Sequence, residues 1–161
     1  IDPDRAFDIW VNKTVITRMK KKTVYLIGNG ASASMASHAA ADLLKNANIK
    51  TMVFTDLSLM TAISNDISYK DVFAEPLKRF ASTDDMLVAI SSSGRSQNII
   101  EATRTMKAYK VFTITLSAMD FENPLRKSGD LNFYIPAMTY GLAETGHAAI
   151  IHYWIDKVLE K

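Results

Sequence analysis

Five short runs of apolar and β-branched residues, at 23–27, 50–54, 86–90, 111–116 and 131–135, are each separated from the next by a segment long enough for a crossover. Between them, segments 32–45, 69–80, 97–108 and 142–159 carry apolar residues at helical spacing, and 4–19 reads as a leading helix. A strand that runs parallel to its neighbour needs a long connection, so strands alternating with helices predict a parallel sheet. The expected fold is therefore α/β, a three-layer doubly wound domain of flavodoxin-like or Rossmann-like type, with a five-stranded parallel sheet between helices. No internal repeat, low-complexity tract or linker interrupts the pattern. Residues 1–161 are thus expected to form one domain, with 1–22 as a leading helical segment and 23–161 as the α/β core.

In such sheets ligands bind beyond the carboxyl ends of the strands, where loops after separate strands meet. Two loops there are conspicuous. The first is Ser91-Ser92-Ser93-Gly94-Arg95-Ser96, between the apolar run 86–90 and a helical pattern that starts near Gln97. A strand that ends in a small, polar turn and restarts as a helix gathers hydroxyls and unpaired amides at the positive end of the helix dipole, which suits a phosphate monoester. No Lys follows the glycine, so the loop is not a nucleoside triphosphate cradle, and a phosphorylated small metabolite is the better fit. The competing reading is that the serines only cap the helix. The second loop, Gly28-Asn29-Gly30-Ala31-Ser32, lets the backbone turn sharply and approach a ligand, with Ser32 set to cap the next helix. It lacks the third glycine of a dinucleotide fingerprint, and its alternative is a plain tight turn.

Three further groups bear chemistry. His38 and Asp42 are four residues apart and share a helix face, close enough for a hydrogen bond or a common divalent metal. The small apolar residues around them make a buried ionisable pair costly unless it is used. Glu144, His147 and His152 lie on an otherwise small or apolar segment. Glu144 and His152 are about 12 Å apart along an ideal helix, so they meet one metal only if Glu144 sits at a loosened helix start. His147 points elsewhere and reads either as a core histidine or as one that supports a ligand from behind. Asn65 and Asp66, in a loop after the second strand, can hold sugar hydroxyls or form an ordinary turn. Tyr134, Tyr140, Tyr153 and Trp154 read as packing or oligomer contacts.

Composition narrows the classes of function. A formal net charge of +2, with basic residues scattered apart from Lys20, Lys21 and Lys22, offers no stripe for nucleic acid. There is no cysteine, which removes thiolate chemistry and fits a reducing compartment, so a cytoplasmic location is expected. No apolar run approaches the roughly 18 residues of a membrane span, and the start lacks a signal-peptide layout. The chain opens with Ile rather than Met, so a preceding segment is expected.

Taken in order, Gly28 to Ser32, His38-x-x-x-Asp42, Ser64-Asn65-Asp66, the serine loop and Glu144-x-x-His147-x-x-x-x-His152 resemble the sugar isomerase (SIS) domain family, in its phosphoheptose isomerase branch. The resemblance runs from about Thr23 to the end. It implies an aldose–ketose isomerase that converts sedoheptulose 7-phosphate to D-glycero-D-manno-heptose 7-phosphate, for lipopolysaccharide or capsule precursors. It also implies a homotetramer, or a dimer, with interfacial active sites, and one divalent metal per site, zinc being the first choice. On this chain it implies that Ser91, Ser92, Ser93 and Ser96 grip the phosphate. Asn29, Gly30, Ala31, Ser32, Asn65, Asp66 and Glu144 would line the substrate. His38, Asp42, Glu144 and His152 would be metal ligands, with Asp42 and His152 also the acid/base pair. Asp42 stands where the family usually has Glu, Glu144 where it has Gln, Ala31 where it has Gly, and Arg95 where a small polar residue is common. The alternative within the family is a non-catalytic module that binds a phosphosugar or a protein partner in a regulatory role; an amide-transferring hexosamine enzyme is disfavoured by the lack of a second domain. Asp42→Asn and His152→Ala proteins mixed as hetero-oligomers are expected to regain activity if chains share a site.

Overall fold

The structure, a computed structural model, describes residues 2–161; Ile1, which opens the expected leading segment, lies outside the described residues. Strands β1 (Thr23–Ile27), β2 (Lys50–Met52), β3 (Met86–Ser91), β4 (Phe112–Ala118) and β5 (Leu131–Ile135) pair in the order β2-β1-β3-β4-β5, every neighbour parallel. The helices are α1 (Pro3–Met19), α2 (Ala31–Ala47), α3 (Leu57–Asp66), α4 (Ala74–Phe80), α5 (Gln97–Ala108) and α6 (Tyr140–Leu159). This is the doubly wound order anticipated from the alternation, and its direction of winding reverses between β1 and β3.

The strand pleat sorts the core into two layers. Val24, Leu26, Met86, Val88, Ile90, Ile114 and Leu116 pack under α1, α2 and α6. Tyr25, Ile27, Leu87 and Ala89 face α4 and α5. Helix α1 is fixed by an aromatic stack, Trp10 on Trp154 of α6 with ring centres 4.2 Å apart. The Trp154 indole N–H donates to the Thr14 hydroxyl at 3.0 Å, which in turn donates to the Trp10 carbonyl at 2.8 Å. Among the described residues no helix is long and apolar enough to cross a membrane.

Two expected elements differ. The helix anticipated over 69–80 splits into a 3₁₀ turn, Tyr69–Asp71, and α4. The Ser68 hydroxyl donates to the Asp71 carboxylate at 2.7 Å and closes the turn locally, and Pro76, which has no N–H, is accommodated only in the first turn of a new helix. Asn65 and Asp66 do not lie in a loop: they are the last two residues of α3, whose N-terminus is capped by the Asp56 carboxylate. No residue of α3 is buried, although it carries Leu57, Leu59 and Ile63.

Candidate active site

Loops after β1 and β3 flank the reversal of strand order and meet at a cavity of about 260 Å³. Asn29, Gly30, Ala31 and Ser32 line it from one side, Ser91, Ser92, Ser93 and Ser96 from the other, and Tyr140 and Glu144 from the start of α6. Gly28 makes the first turn possible, because a Cβ there would lie 2.6 Å from the Ser32 backbone. Ser32 does not cap α2 as expected. The N-cap is Gly30, and Ser32 sits buried in the first turn.

The partners of the serine-loop hydroxyls bear on whether the serines cap the helix. Ser96 is the N-cap of α5 but makes no capping bond; its Oγ instead accepts from the Ser91 hydroxyl at 3.1 Å. Ser93 Oγ accepts from the Arg95 N–H at 3.2 Å. The Ser92 hydroxyl is buried with no hydrogen-bond partner among the described residues. A buried, unpaired hydroxyl beside a cavity costs stability unless a ligand completes it. The loop is braced from outside: Ala118 N–H donates to Ser92 O at 2.9 Å and Leu125 N–H to Gly94 O at 3.2 Å. Arg95 is not a free cation for a ligand, since it pairs with Asp120, whose carboxyl is held below its ordinary range first by the Glu122 N–H and then by Arg95.

His38, Asp42 and His152 gather away from this cavity, on the outer side of the α2–α6 layer. His38 Nε2 is 3.3 Å from the Asp42 carboxylate, and the rings of His38 and His152 lie 5.7 Å apart. The pair is not buried as expected: the His38 side chain is 66% exposed and that of Asp42 25%, while Ala36, Ala39 and Ala40 take the core-facing positions. A separate hollow of about 220 Å³ lies beside it, with His38, Ala148 and His152 in its lining. Helix α6 starts at Tyr140 behind a Thr139 cap, so Glu144 stands in regular helix and not at a loosened start. It faces the serine cavity, about 12 Å along the axis from His152. Among the described residues no three His, Asp or Glu side chains converge to hold a metal within one chain. Asn65 and Asp66 do not line the serine cavity, and the Asn65 amide donates to the Asp66 carboxylate at 2.9 Å. Tyr140, read from sequence as a packing or oligomer contact, is exposed and lines the cavity.

His147 is the core histidine anticipated, fully buried on α6. Burial pushes its imidazole below the ordinary value of 6.5, and the nearby Ser117 backbone opposes this in part, although among the described residues no well-formed hydrogen bond reaches either ring nitrogen. The folded chain resists a proton that the unfolded chain accepts, so stability is fully present above 6.5 and falls as pH drops below it, until the lowered folded value is passed. Urea midpoints at about pH 7.5, 6.5 and 5.5 are expected to show wild type losing its margin over His147→Leu as the solution is acidified, by at most about 1.4 kcal/mol per pH unit. A margin independent of pH would contradict this.

The SIS domain family matches residues 10–118. A phosphoheptose isomerase from Coxiella burnetii is 33% identical over 142 residues, which cover 83% of this chain and 71% of that protein. One from Helicobacter pylori is 30% identical over 152 residues, 91% of this chain and 79% of that protein. The solved phosphoheptose isomerase of Neisseria gonorrhoeae superposes with a TM-score of 0.88 at 26% identity, covering 96% of this chain and 86% of that one.

Proposed function

Because this chain belongs to the SIS domain family, in its phosphoheptose isomerase branch, we propose that it isomerises sedoheptulose 7-phosphate to D-glycero-D-manno-heptose 7-phosphate. The observation that carries the reading is the serine cavity, with its buried, unpartnered Ser92 hydroxyl at the reversal of strand order. The phosphate is taken by Ser91, Ser92, Ser93 and Ser96. The sugar lies against Asn29, Gly30, Ala31 and Ser32, with Asn65 and Asp66 contributing hydroxyl contacts. Residues 1–161 would form one domain of an enzyme that works in the cytoplasm, supplying heptose for lipopolysaccharide or capsule.

The chemistry moves a carbonyl from C2 to C1. A base takes a proton from C1, the electron pair forms the C1–C2 double bond, and the C2 carbonyl electrons move onto O2 to give a cis-enediolate, whose O2 later takes up the proton that O1 releases. A proton then returns to C2 as O1 gives up its own and becomes the aldehyde oxygen. Asp42 and His152 share these transfers, each step being worth about 10²- to 10⁴-fold in rate. His38, at 3.3 Å, holds the Asp42 carboxylate in position. Two imidazoles and two carboxylates are a suitable donor set for zinc. When bound by His38, Asp42, Glu144 and His152, a divalent ion supplies Lewis-acid stabilisation of the negative charge on O1 and O2.

The separation of Asp42 and His152 from the serine cavity supports a site shared between copies, in which one chain brings the cavity and Glu144 and another brings His38, Asp42 and His152. Met138, Tyr140 and Leu142 are exposed around the start of α6, where Tyr140 lines the cavity, and offer apolar surface of the kind that a second copy covers. A homotetramer with one zinc ion per shared site is the assembly that fits. Metal-stripped protein incubated with sedoheptulose 7-phosphate is expected to form aldose only after zinc is restored. Phosphosugar binding without turnover under any divalent metal would favour a regulatory binding module instead.

A further inference from the structure

The carboxamides of Asn29 and Asn98 meet head to head. Asn29 Nδ2 donates to Asn98 Oδ1 at 2.9 Å, and Asn98 Nδ2 donates back to Asn29 Oδ1 at 2.9 Å. Asn98 is buried, at 2% exposure, in the first turn of α5 directly after the serine loop. The hydroxyl of Tyr69, in the 3₁₀ turn that follows Asn65 and Asp66, donates to the same Asn29 Oδ1 at 3.3 Å. Three chain segments that the functional reading assigns to phosphate or sugar are therefore joined through one side chain. Both lone pairs of Asn29 Oδ1 are taken, so this carboxamide can offer a ligand only one N–H of its Nδ2.

We propose that Asn98, extended by Tyr69, is a positioning residue that fixes the distance between the phosphate grip and the sugar-binding loop; this rests on the phosphosugar reading of the cavity. The β1 and β3 loops diverge at the reversal of strand order, and β1–β3 pairing ends at Ile27 and Ala89, so the sheet's own hydrogen bonds do not set their spacing. The amide pair crosses that gap. It touches neither the serine hydroxyls nor the acid/base pair. Its loss should leave phosphate binding intact while misplacing the sugar.

Asn98→Asp keeps the shape but sets an oxygen against Asn29 Oδ1. It is expected to weaken sedoheptulose 7-phosphate binding, or raise its KM, about tenfold or more, while inorganic phosphate affinity measured by calorimetry changes less than about threefold. Tyr69→Phe, at an exposed position, is expected to raise KM by about two- to fivefold without moving the thermal midpoint. Backbone hydrogen exchange supplies a readout that needs no substrate: peptides covering 28–34 and 65–71 are expected to exchange faster in Asn98→Asp. Unchanged exchange in both peptides would overturn the proposal, as would equal losses of phosphate and sugar-phosphate binding in parallel with stability. If wild type itself does not turn over the sugar phosphate, the functional reading fails while the exchange experiment still judges the clasp.

Discussion

Asp42→Asn and His152→Ala are each expected to reduce turnover of sedoheptulose 7-phosphate by about 10²- to 10⁴-fold, because each removes a proton-transfer group while leaving the serine cavity unaltered. The proposed shared site also implies which variants rescue one another. Asp42 and His152 both stand beside His38 on one chain, so a shared site draws them from the same copy. A hetero-oligomer of Asp42→Asn with His152→Ala then has one of the two lesions in every site and is expected to stay inactive. The complementing pair is Asp42→Asn with Ser92→Asp, which puts a negative charge where the phosphate must sit. In an oligomer with random subunit order, about a quarter of sites combine an intact serine cavity with an intact acid/base group, so about a quarter of wild-type activity should return. Co-expression of two differently tagged chains, followed by tandem purification and a turnover assay, measures this. Recovery by the Asp42→Asn and His152→Ala pair would mean that these two residues of one site come from different copies, and no recovery by either pair would place the whole site within a single chain.

Gly94→Ala is expected to cost about 3 kcal/mol of stability and to lower phosphate affinity at least about 100-fold. Gly94 has φ +62, where an L side chain is strained, and an added Cβ would lie 1.9 Å from Asn123 Oδ1 and 2.2 Å from its Cγ. Asn123 cannot yield. It is fully buried, its Nδ2 donates to Asp120 O at 2.7 Å, and its Oδ1 accepts from Arg126 N–H at 2.9 Å. The displacement therefore falls on the serine loop, which loses the 3.2 Å bond from Leu125 N–H to Gly94 O. Gly30→Ala gives a comparison: Gly30 has φ +54 but nothing within 4 Å of an added Cβ, so only backbone strain of about 1–2 kcal/mol applies. Urea denaturation and calorimetric phosphate titration of the two variants separate strain from collision. Equal stability losses would remove Asn123 from the account.

Strand identity and order of use were legible because each strand is a short apolar run between helical segments, and a parallel sheet buried on both faces demands that pattern. The serine loop was legible for the same local reason: a polar, glycine-containing turn between strand and helix is a contiguous signal. Sequence could not say whether Ser96 makes a capping bond, because one Ser-rich sequence serves both roles, and the structure shows that it makes none. Asn98, Tyr69 and Asn123 gave no signal. Their partners, Asn29 and the backbone around Gly94, are 69, 40 and 29 residues away in the chain for the contacts that matter, and side-chain amides carry no periodicity. The break of the expected 69–80 helix had a local sign in Pro76, which the apolar spacing masked.

The sequence alone determined the α/β alternation, the two loops at the strand ends and the list of groups able to do acid/base and metal chemistry, since these depend on neighbours within a few residues. Only the tertiary structure decided how those groups divide. The eight-residue interval between Glu144 and His152 became a separation of about two helical turns once α6 proved regular from Tyr140. Packing of α2 against α6 then turned His38, Asp42 and His152 outward while the sheet's reversal gathered the serines inward. That division follows from which face of each helix the core requires.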